Sequence, residues 1–368
     1  MVAWLDASVS GAVADPGRIH VEGMTARVAL EQAREQVASL LGARSREVVF
    51  TSGATESVAA AVWGALGSGE SKGRRPHVIV PAVEHSAVRQ ASATYAAALG
   101  GDVTVVGVDG LGRVDPDEVM GSVRDDTALV HVQWGNHEVG TSQPAAEIAA
   151  RCRRAGVLVH VDAAQAAGRV PIDFATIGAD LLSVSGHKFG APVGSGALLV
   201  RRGLRIDPLL RGGDQERARR AGMENLPAIV GLGAACKVLA AGDRLATEQT
   251  ASRRLTDRVL AAVPGLDGVR VYGDPAGRLP HLVCLGVDGI EPQAVLLGLD
   301  QAGIAAHSGS ACASEGLEDS PVLEAMGVDA HRSLRISVGW SSTDADIDAL
   351  LTTLPLVIER LRALGSDR

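Results

Sequence analysis

The sequence places a lysine, Lys188, three residues after an apolar run that ends at Ser185. In a partly desolvated cleft a lysine amine loses its proton more easily, as a lysine that forms a Schiff base requires. Ser185 and His187 flank this position with hydroxyl and imidazole donors that suit a phosphate group. The competing interpretation is a surface lysine after a strand, and the Ser-x-His-Lys spacing alone does not decide between the two.

A carboxylate, Asp162, closes the apolar run Val157–Asp162. A carboxylate at the carboxyl end of a strand often holds a ligand. If the ligand is pyridoxal phosphate (PLP), an acidic partner keeps the pyridine nitrogen protonated and makes the ring an electron sink. Gln165, three residues later, is near enough in sequence to reach the ring hydroxyl. Asp is also a frequent helix N-cap, so both roles remain open for Asp162 on these residues alone.

The segment Thr51–Glu56 (Thr-Ser-Gly-Ala-Thr-Glu) links a strand to a helix. Gly53 allows a tight turn, the start of the helix presents free N–H groups, and Thr55 adds a hydroxyl. This combination suits a phosphate group. The competing interpretation is an ordinary capping box that begins at Ser52.

Two further residues stand out in apolar surroundings. His85 follows the predicted strand His77–Pro81, where an imidazole can stack on a heteroaromatic ring and move protons near neutral pH. A single histidine is nevertheless more often structural. Arg335 lies inside an apolar strand, and its planar guanidinium suits a substrate carboxylate.

The four cysteines are far apart and form no CxxC pair, so neither disulfides nor a metal site are expected. Cys312 lies in the small, polar stretch Gly309–Ser314, where we expect an exposed thiol. Cys152, Cys236 and Cys284 lie in apolar or helical settings and are interpreted as packing thiols.

Apolar runs alternate with helical stretches from about residue 47 to 202, which predicts an α/β fold with a mostly parallel sheet covered by helices on both faces. The expected strands are Glu47–Thr51, His77–Pro81, Asp102–Val108, Thr127–Gln133, Val157–Asp162, Asp180–Ser185 and Gly196–Arg201. The expected helices are Met24–Leu41 before them and Thr55–Leu66, Glu84–Leu99 and Ala145–Ala155 between them. In such folds ligands bind at the carboxyl ends of the strands.

A second α/β segment follows Gly212. It comprises Glu224–Ala241, Ala246–Val263, Val269–Tyr272, His281–Val287, Pro292–Ala302, Leu334–Val338 and Thr343–Leu364. Because 368 residues are too many for one simple core, we predict a large domain over 15–255. A smaller domain is predicted over 256–368, together with residues 1–14.

The formal net charge of −8 argues against nucleic acid as the main partner. No apolar run is long enough to span a bilayer, and the first residues show no secretory signal, so a cytoplasmic location without membrane binding is expected. A reducing compartment would also keep a working thiol free.

Taken in order, seven motifs resemble the cysteine desulfurases, which are class-V aminotransferase-like, fold-type I PLP enzymes. They are Thr51–Ser57, Glu84-His85, Asn136–Gly140, His160–Gln165, Ser185–Lys188, Gly212–Arg217 and Ser308–Ser314. Arg335 follows in the expected place, and the resemblance covers about residues 15–348. The Ser-Gly-Ser-Ala-Cys context of Cys312 resembles the subgroup whose cysteine is carried on a long mobile loop.

The resemblance implies a large PLP-binding domain with a seven-stranded sheet, a smaller α/β domain that carries the cysteine, and a homodimer. Lys188 would bind PLP covalently and move the Cα proton, and Cys312 would take sulfur from L-cysteine as a persulfide, leaving L-alanine. Asn136 and Arg335 would hold the substrate carboxylate. The sulfur would pass to an acceptor protein for iron–sulfur clusters or another sulfur-containing product. The implied cofactor-binding set is Ala54, Thr55, His85, Asp162, Gln165, Ser185, His187 and Lys188.

The sequence departs from the family at several positions. The amino-terminal segment is short, Met223 stands where the family usually has a phosphate-binding threonine, and His137 replaces an asparagine. These changes motivate the hypothesis of a specialised pathway. Two other functions remain open: another PLP enzyme of this fold (an aminotransferase, selenocysteine lyase or C–S lyase), or a non-catalytic sulfur-transfer scaffold.

Overall fold

The computed structural model describes residues 1–2, 5–6, 14–67, 75–308 and 319–366. Contacts divide the chain into two compact units. The first comprises residues 1–106, 116–134 and 144–245, and the second comprises 107–115, 135–143 and 246–368. This division differs from the predicted domains, 15–255 and 256–368 with 1–14, because two short segments from the middle of the chain group with the carboxyl-terminal residues. The predicted domain assignment stays a prediction.

The first unit contains the predicted seven-stranded, mostly parallel sheet, which confirms the fold class. Its strands lie in the order β1-β7-β6-β5-β4-β2-β3, and only β7 runs opposite to the other six. Their bounds are Val48–Thr51 (β1), His77–Pro81 (β2), Asp102–Val106 (β3), Thr127–Gln133 (β4), Leu158–Asp162 (β5), Leu181–Ser185 (β6) and Gly196–Val200 (β7).

Helices cover this sheet because its strands are apolar on both faces; every residue of β2, β4, β6 and β7 is buried. The main helices of the unit are Val21–Leu40 (α1), Ala54–Leu66 (α2), Ser86–Ala98 (α3), Pro116–Gly121 (α4), Ala145–Ala155 (α5), Phe174–Ile177 (α6) and Leu226–Leu239 (α7), and a short kinked helical segment covers Gln215–Ala218. Small residues permit close packing: a Cβ on Gly233 of α7 would lie 2.7 Å from the Cα of Ala33 in α1.

The second unit is built on a four-stranded antiparallel sheet in the order β10-β11-β9-β8. Its strands are Val269–Tyr272 (β8), Leu282–Val287 (β9), His307–Ser308 (β10) and Ser333–Ser337 (β11). Its helices are Arg244–Ala262 (α8), Pro292–Gln301 (α9), Pro321–Ala325 (α10) and Asp344–Ser366 (α11). The core lies between the sheet and α8, α9 and α11, where Leu255, Leu285, Leu299 and Leu354 are buried together.

No single helix in the described part of the chain is long and apolar enough to cross a membrane. One pair, Leu226–Leu239 with Arg244–Gly265, passes that test jointly by length and composition, but it is bent by 80°.

Candidate active site

The carboxyl ends of β4, β5 and β6 lie side by side. Gln133 pairs with Asp162, and Asp162 pairs with Ser183. Neighbouring strands are about 4.8 Å apart, so residues that follow these ends meet at one edge of the sheet. Lys188 lies in the 3₁₀ turn Gly186–Phe189 immediately after β6. The sheet therefore brings Asp162 and Lys188 to the same edge, as the sequence predicted.

The turn that carries Lys188 also carries two phosphate-binding candidates. The Oγ of Ser185 and the Nδ1 of His187 are 3.1 Å apart, and the carbonyl of Lys188 accepts a hydrogen bond of 2.8 Å from Arg169. Burial, and then the charge of Lys188, lower the pKa of His187. Lys188 and His187 are both exposed, whereas Ser185 is buried. Lys188 is therefore exposed in the chain alone, and the expectation that its amine is partly desolvated stays a prediction.

The amino-terminal end of α2 packs directly against the end of β6. Gly53 is the N-cap of α2 without a side-chain capping bond, and its φ is 155°. A Cβ at Gly53 would lie 3.6 Å from the Oγ of Ser185, and a Cβ at Gly196 would lie 2.6 Å from the Cα of Gly53. The backbone N–H groups at the start of α2 are therefore close to the Ser185 hydroxyl. Helix N-termini of this kind bind phosphate groups.

The competing capping-box interpretation holds for part of this turn. Glu56 accepts a hydrogen bond of 2.8 Å from the backbone N–H of Ser52, but the N-cap of α2 is Gly53 and not Ser52. Glu56 also accepts a bond of 2.9 Å from Nε of Arg220. Although burial opposes it, the hydrogen bonds from Arg220 and Ser52 lower the pKa of Glu56. Sequence reasoning missed Arg220, because 164 positions separate it from its partner.

Asp162 is 8% exposed at the end of β5. Its Oδ1 accepts a hydrogen bond of 2.9 Å from the backbone N–H of Ala164 and so caps a turn; the residues that follow form this turn and not a helix, so Asp162 is not a helix N-cap. Gln165 lies half-buried in the same turn. A carboxylate held rigidly in this way suits a protonated pyridine nitrogen, so capping and ligand binding are compatible at this residue.

His85 is the N-cap of α3, where its Nδ1 accepts a hydrogen bond of 3.1 Å from the backbone N–H of Ala87. An accepting Nδ1 places the ring proton of the neutral form on Nε2. The preceding residue, Glu84, is fully buried and accepts a bond of 2.5 Å from the backbone N–H of Gln133. This link ties the start of α3 to the end of β4. Sequence reasoning missed it, although a glutamate among apolar residues was a visible signal.

Asn136 and Arg335, the predicted substrate-carboxylate residues, belong to the second unit. The Oδ1 of Asn136 closes a turn by accepting from the backbone N–H groups of Glu138 and Val139, at 2.8 and 2.9 Å. Arg335 in β11 donates a bond of 2.9 Å to the carbonyl of His137. Burial lowers the pKa of Arg335. The structure therefore joins the strand that carries the guanidinium to the turn that carries the amide.

Cys312 lies outside the described residues, together with residues 309–318. The other three cysteines are free and buried, which confirms their interpretation as packing thiols. Burial raises the pKa of Cys152 to about 11 and that of Cys236 to about 12. Met223, at the position where the resemblance leads us to expect a threonine, is 57% exposed.

Comparison with known proteins gives consistent matches along nearly the whole chain. The family described as aminotransferase class-V matches residues 7–350. The cysteine desulfurase IscS of Methanosarcina thermophila is 41% identical over 354 residues, which are 95% of this chain and 86% of that protein.

Two solved structures extend these matches to the fold. A NifS-like protein has a TM-score of 0.86 at 31% identity and covers 95% of this chain and 92% of its own. SspA in complex with cysteine has a TM-score of 0.78 at 28% identity, covering 92% of this chain and 94% of its own.

Proposed function

Because the chain belongs to the class-V aminotransferase family and, within it, to the cysteine desulfurases, we propose that it removes sulfur from L-cysteine with PLP as cofactor. The products are L-alanine and a persulfide on Cys312. One observation carries this assignment to particular residues: Asp162, Ser185, Lys188 and the start of α2 meet at one edge of the parallel sheet. The cysteine held by SspA supports the choice of substrate.

The residues at this edge fit PLP. The phosphate group would be held by the first N–H groups of α2 and by the hydroxyls of Thr55 and Ser185, with the backbone of Ala54 and the ring of His187. Gly196 leaves room for the phosphate-binding turn, because a Cβ at this position would lie only 2.6 Å from the Cα of Gly53. The exposed Lys188 amine is accessible for a covalent bond to the cofactor aldehyde.

When bound, PLP supplies an electron sink for the bonds that break at the substrate. Asp162 would keep a proton on the pyridine nitrogen, and Gln165 would donate to the ring oxygen. His85 would stack on the ring; its Nδ1 accepts from the backbone N–H of Ala87, so the proton of the neutral imidazole would lie on Nε2. With PLP bound, the amine of Lys188 would move the Cα proton of the substrate.

The substrate carboxylate is bound by Arg335 and by the amide N–H₂ of Asn136. The bond from Arg335 to the carbonyl of His137 uses Nη1 and orients the guanidinium. A planar guanidinium can offer two parallel N–H groups to a carboxylate, which a lysine at the same position could not do.

In the sulfur-transfer step the Cys312 thiolate attacks the substrate sulfur. The new S–S bond forms as the Cβ–S bond breaks, the carbon side keeps the electron pair and takes up a proton, and L-alanine leaves. The terminal sulfur then passes to a thiolate of an acceptor protein, for an iron–sulfur cluster or another sulfur-containing product. This chemistry needs a reduced thiol, so we propose a cytoplasmic location.

The proposal is tested by incubating the PLP-loaded protein with L-cysteine and measuring both L-alanine and protein-bound persulfide. We expect the two in equal amounts in the first turnover, and neither with Cys312→Ser. Alanine release by Cys312→Ser at the wild-type rate would refute direct thiolate attack and favour another PLP enzyme of this fold. Absence of visible absorbance after reconstitution with PLP would favour the sulfur-transfer scaffold.

A homodimer forms part of the proposal. Ile19, Val21, Met24 and Val28 present an exposed apolar stripe at the start of α1, with exposures of 51 to 95%. We propose that a second copy of the chain covers this stripe, since family members are homodimers. Size-exclusion chromatography with light scattering should show a dimer for the wild type and dissociation for Met24→Asp with Val28→Asp. The control is Val238→Asp, which changes an exposed valine on α7. If the double variant keeps the same dimer as the wild type, the stripe is not the interface.

A further inference from the structure

An open cleft of about 750 Å³ lies in the second unit, on the outer face of α8 and the segment before β9. Four arginines line it, and we call it the arginine cleft: Arg253, Arg254 and Arg258 from α8, and Arg278 from the segment before β9. Residues three and four apart lie on the same face of a helix. The cleft wall therefore follows α8 from Thr250 through Arg253 and Arg254 to Arg258. None of these residues has a role in the proposed desulfurase reaction.

The four guanidinium groups differ in how they are neutralised. Arg254 forms a two-pronged pair with Asp344 at 2.5 and 2.8 Å, and Arg258 contacts Asp344 and Asp348. Arg278 donates to Asp257 at 2.5 Å. Within the described ranges, Arg253 makes no ion pair, and its hydrogen bond of 2.9 Å runs to the carbonyl of Ala276. One positive charge of the cleft therefore lacks a carboxylate among the residues that the structure describes.

Two N–H groups of the arginine cleft are buried without a hydrogen-bond partner in the described part of the chain: Nη1 of Arg253 and Nε of Arg278. The side chain of Arg278 is only 2% exposed. Burial, and then the charge of Arg253, lower the pKa of Arg278 to about 10. Two close, like-charged groups with unsatisfied donors are costly unless an acceptor with negative charge lies between them.

From this arrangement we propose that the arginine cleft binds a phosphate-type oxyanion between Arg253 and Arg278. A tetrahedral dianion offers acceptors in several directions, so it can accept from both guanidinium groups after small side-chain movements. Gln249 and Thr250 line the same cleft and add neutral donors. The described lining contains no aromatic side chain on which a base could stack, so the phosphate group itself is the recognised part.

The test uses the PLP-loaded enzyme, so that the cofactor's own phosphate site is filled. Isothermal titration with inorganic phosphate at low ionic strength should give saturable binding in the millimolar range or tighter. Arg253→Gln should weaken it roughly tenfold, the usual effect of losing one charge-assisted hydrogen bond, and Arg253→Lys should weaken it less. The matched control is Arg270→Gln, which removes an exposed arginine paired with Asp288 in the same unit.

A parallel titration with glycerol phosphate distinguishes a free ion from a phosphate ester, since a site for esters binds it at least as well as inorganic phosphate. Wild-type affinity in Arg253→Gln, or no saturable binding below about 10 mM phosphate, would overturn the proposal. If Arg253→Gln fails to fold, soaking wild-type crystals with tungstate decides the matter. Anomalous density must then lie between Arg253 and Arg278.

Discussion

Two histidines buried in the first unit should make the protein lose stability in mild acid. His131 in β4 and His160 in β5 are fully buried, and their Nδ1 atoms are 2.9 Å apart. Ser92 and Ser183 contact the outer ring nitrogens, at 3.2 and 2.7 Å. None of these partners carries negative charge, so a proton added to either ring would leave a charge in the core without a counter-ion.

The size of this loss of stability follows from the pKa of His160. Burial lowers the pKa of His160 to about 3, against an ordinary value of 6.5. Between these values the unfolded chain holds a proton on this ring and the folded chain does not, so stability falls as the pH drops below 6.5 and falls no further below 3. Each pH unit in that window removes about 1.4 kcal/mol, so moving from about pH 7.5 to about pH 5 removes roughly 2 kcal/mol. Burial also lowers the pKa of His131, so this residue adds to the loss of stability in acid.

The assay is urea unfolding of the PLP-loaded protein at both pH values, for the wild type and for His160→Gln. Glutamine keeps a neutral polar group near Ser183 and does not titrate. The variant loses some stability at both pH values, so the quantity of interest is the difference between the two pH values. That difference should be roughly 2 kcal/mol smaller than in the wild type. The control is His20→Gln, which replaces a histidine whose side chain is 54% exposed. Equal acid losses in the wild type and in His160→Gln would show that His160 is not held neutral in the fold.

Three further outcomes are expected. Lys188→Ala should lower desulfurase activity roughly 1000-fold or more and release PLP on dialysis, measured by L-alanine formation and visible absorbance; retained covalent PLP would exclude Lys188 as the attachment site. Gly196→Ala should weaken PLP binding and destabilise the fold by about 1–3 kcal/mol, because its Cβ would lie 2.6 Å from the Cα of Gly53; an unchanged PLP titration would contradict the placement of the phosphate group. Glu216→Gln should destabilise the protein by about 3–5 kcal/mol, since it leaves the buried Arg34 guanidinium with only the half-exposed Glu31 carboxylate, and urea unfolding at neutral pH measures this loss.

Local sequence patterns predicted the sheet closely, because each strand is a short apolar run bounded by turn residues. The helix Ala145–Ala155 and the strand Thr127–Gln133 have the bounds that the sequence predicted. The strand predicted at Asp102–Val108 ends at Val106, because residues 107–115 fold with the second unit. The two-residue strand His307–Ser308 was not predicted, since two residues show no periodicity.

Local sequence patterns could not predict contacts between residues that are far apart in the sequence. Arg34 and Glu216 are 182 positions apart, yet they form a buried pair at 2.7 and 2.8 Å, and Glu216 also accepts from the backbone N–H of Phe50. Glu216, Arg217 and Ala218 have φ values of 48 to 60°, in the left-handed region that residues with a Cβ rarely occupy. No local pattern predicts such a turn, because the long-range ion pair that holds Glu216 is not visible in a window of neighbouring residues.

The properties of the cysteines explain how one thiol can be selected for sulfur transfer. A thiol reacts as its thiolate, and burial raises the pKa of Cys152 to about 11 and that of Cys236 to about 12. Near neutral pH fewer than roughly one in a thousand of these groups are ionised. Burial also raises the pKa of Cys284, which lies opposite Arg335 in the antiparallel pair of β9 and β11. The fold thus keeps three thiols inert and leaves Cys312, in its small polar sequence context, as the cysteine for which nucleophilic attack is proposed.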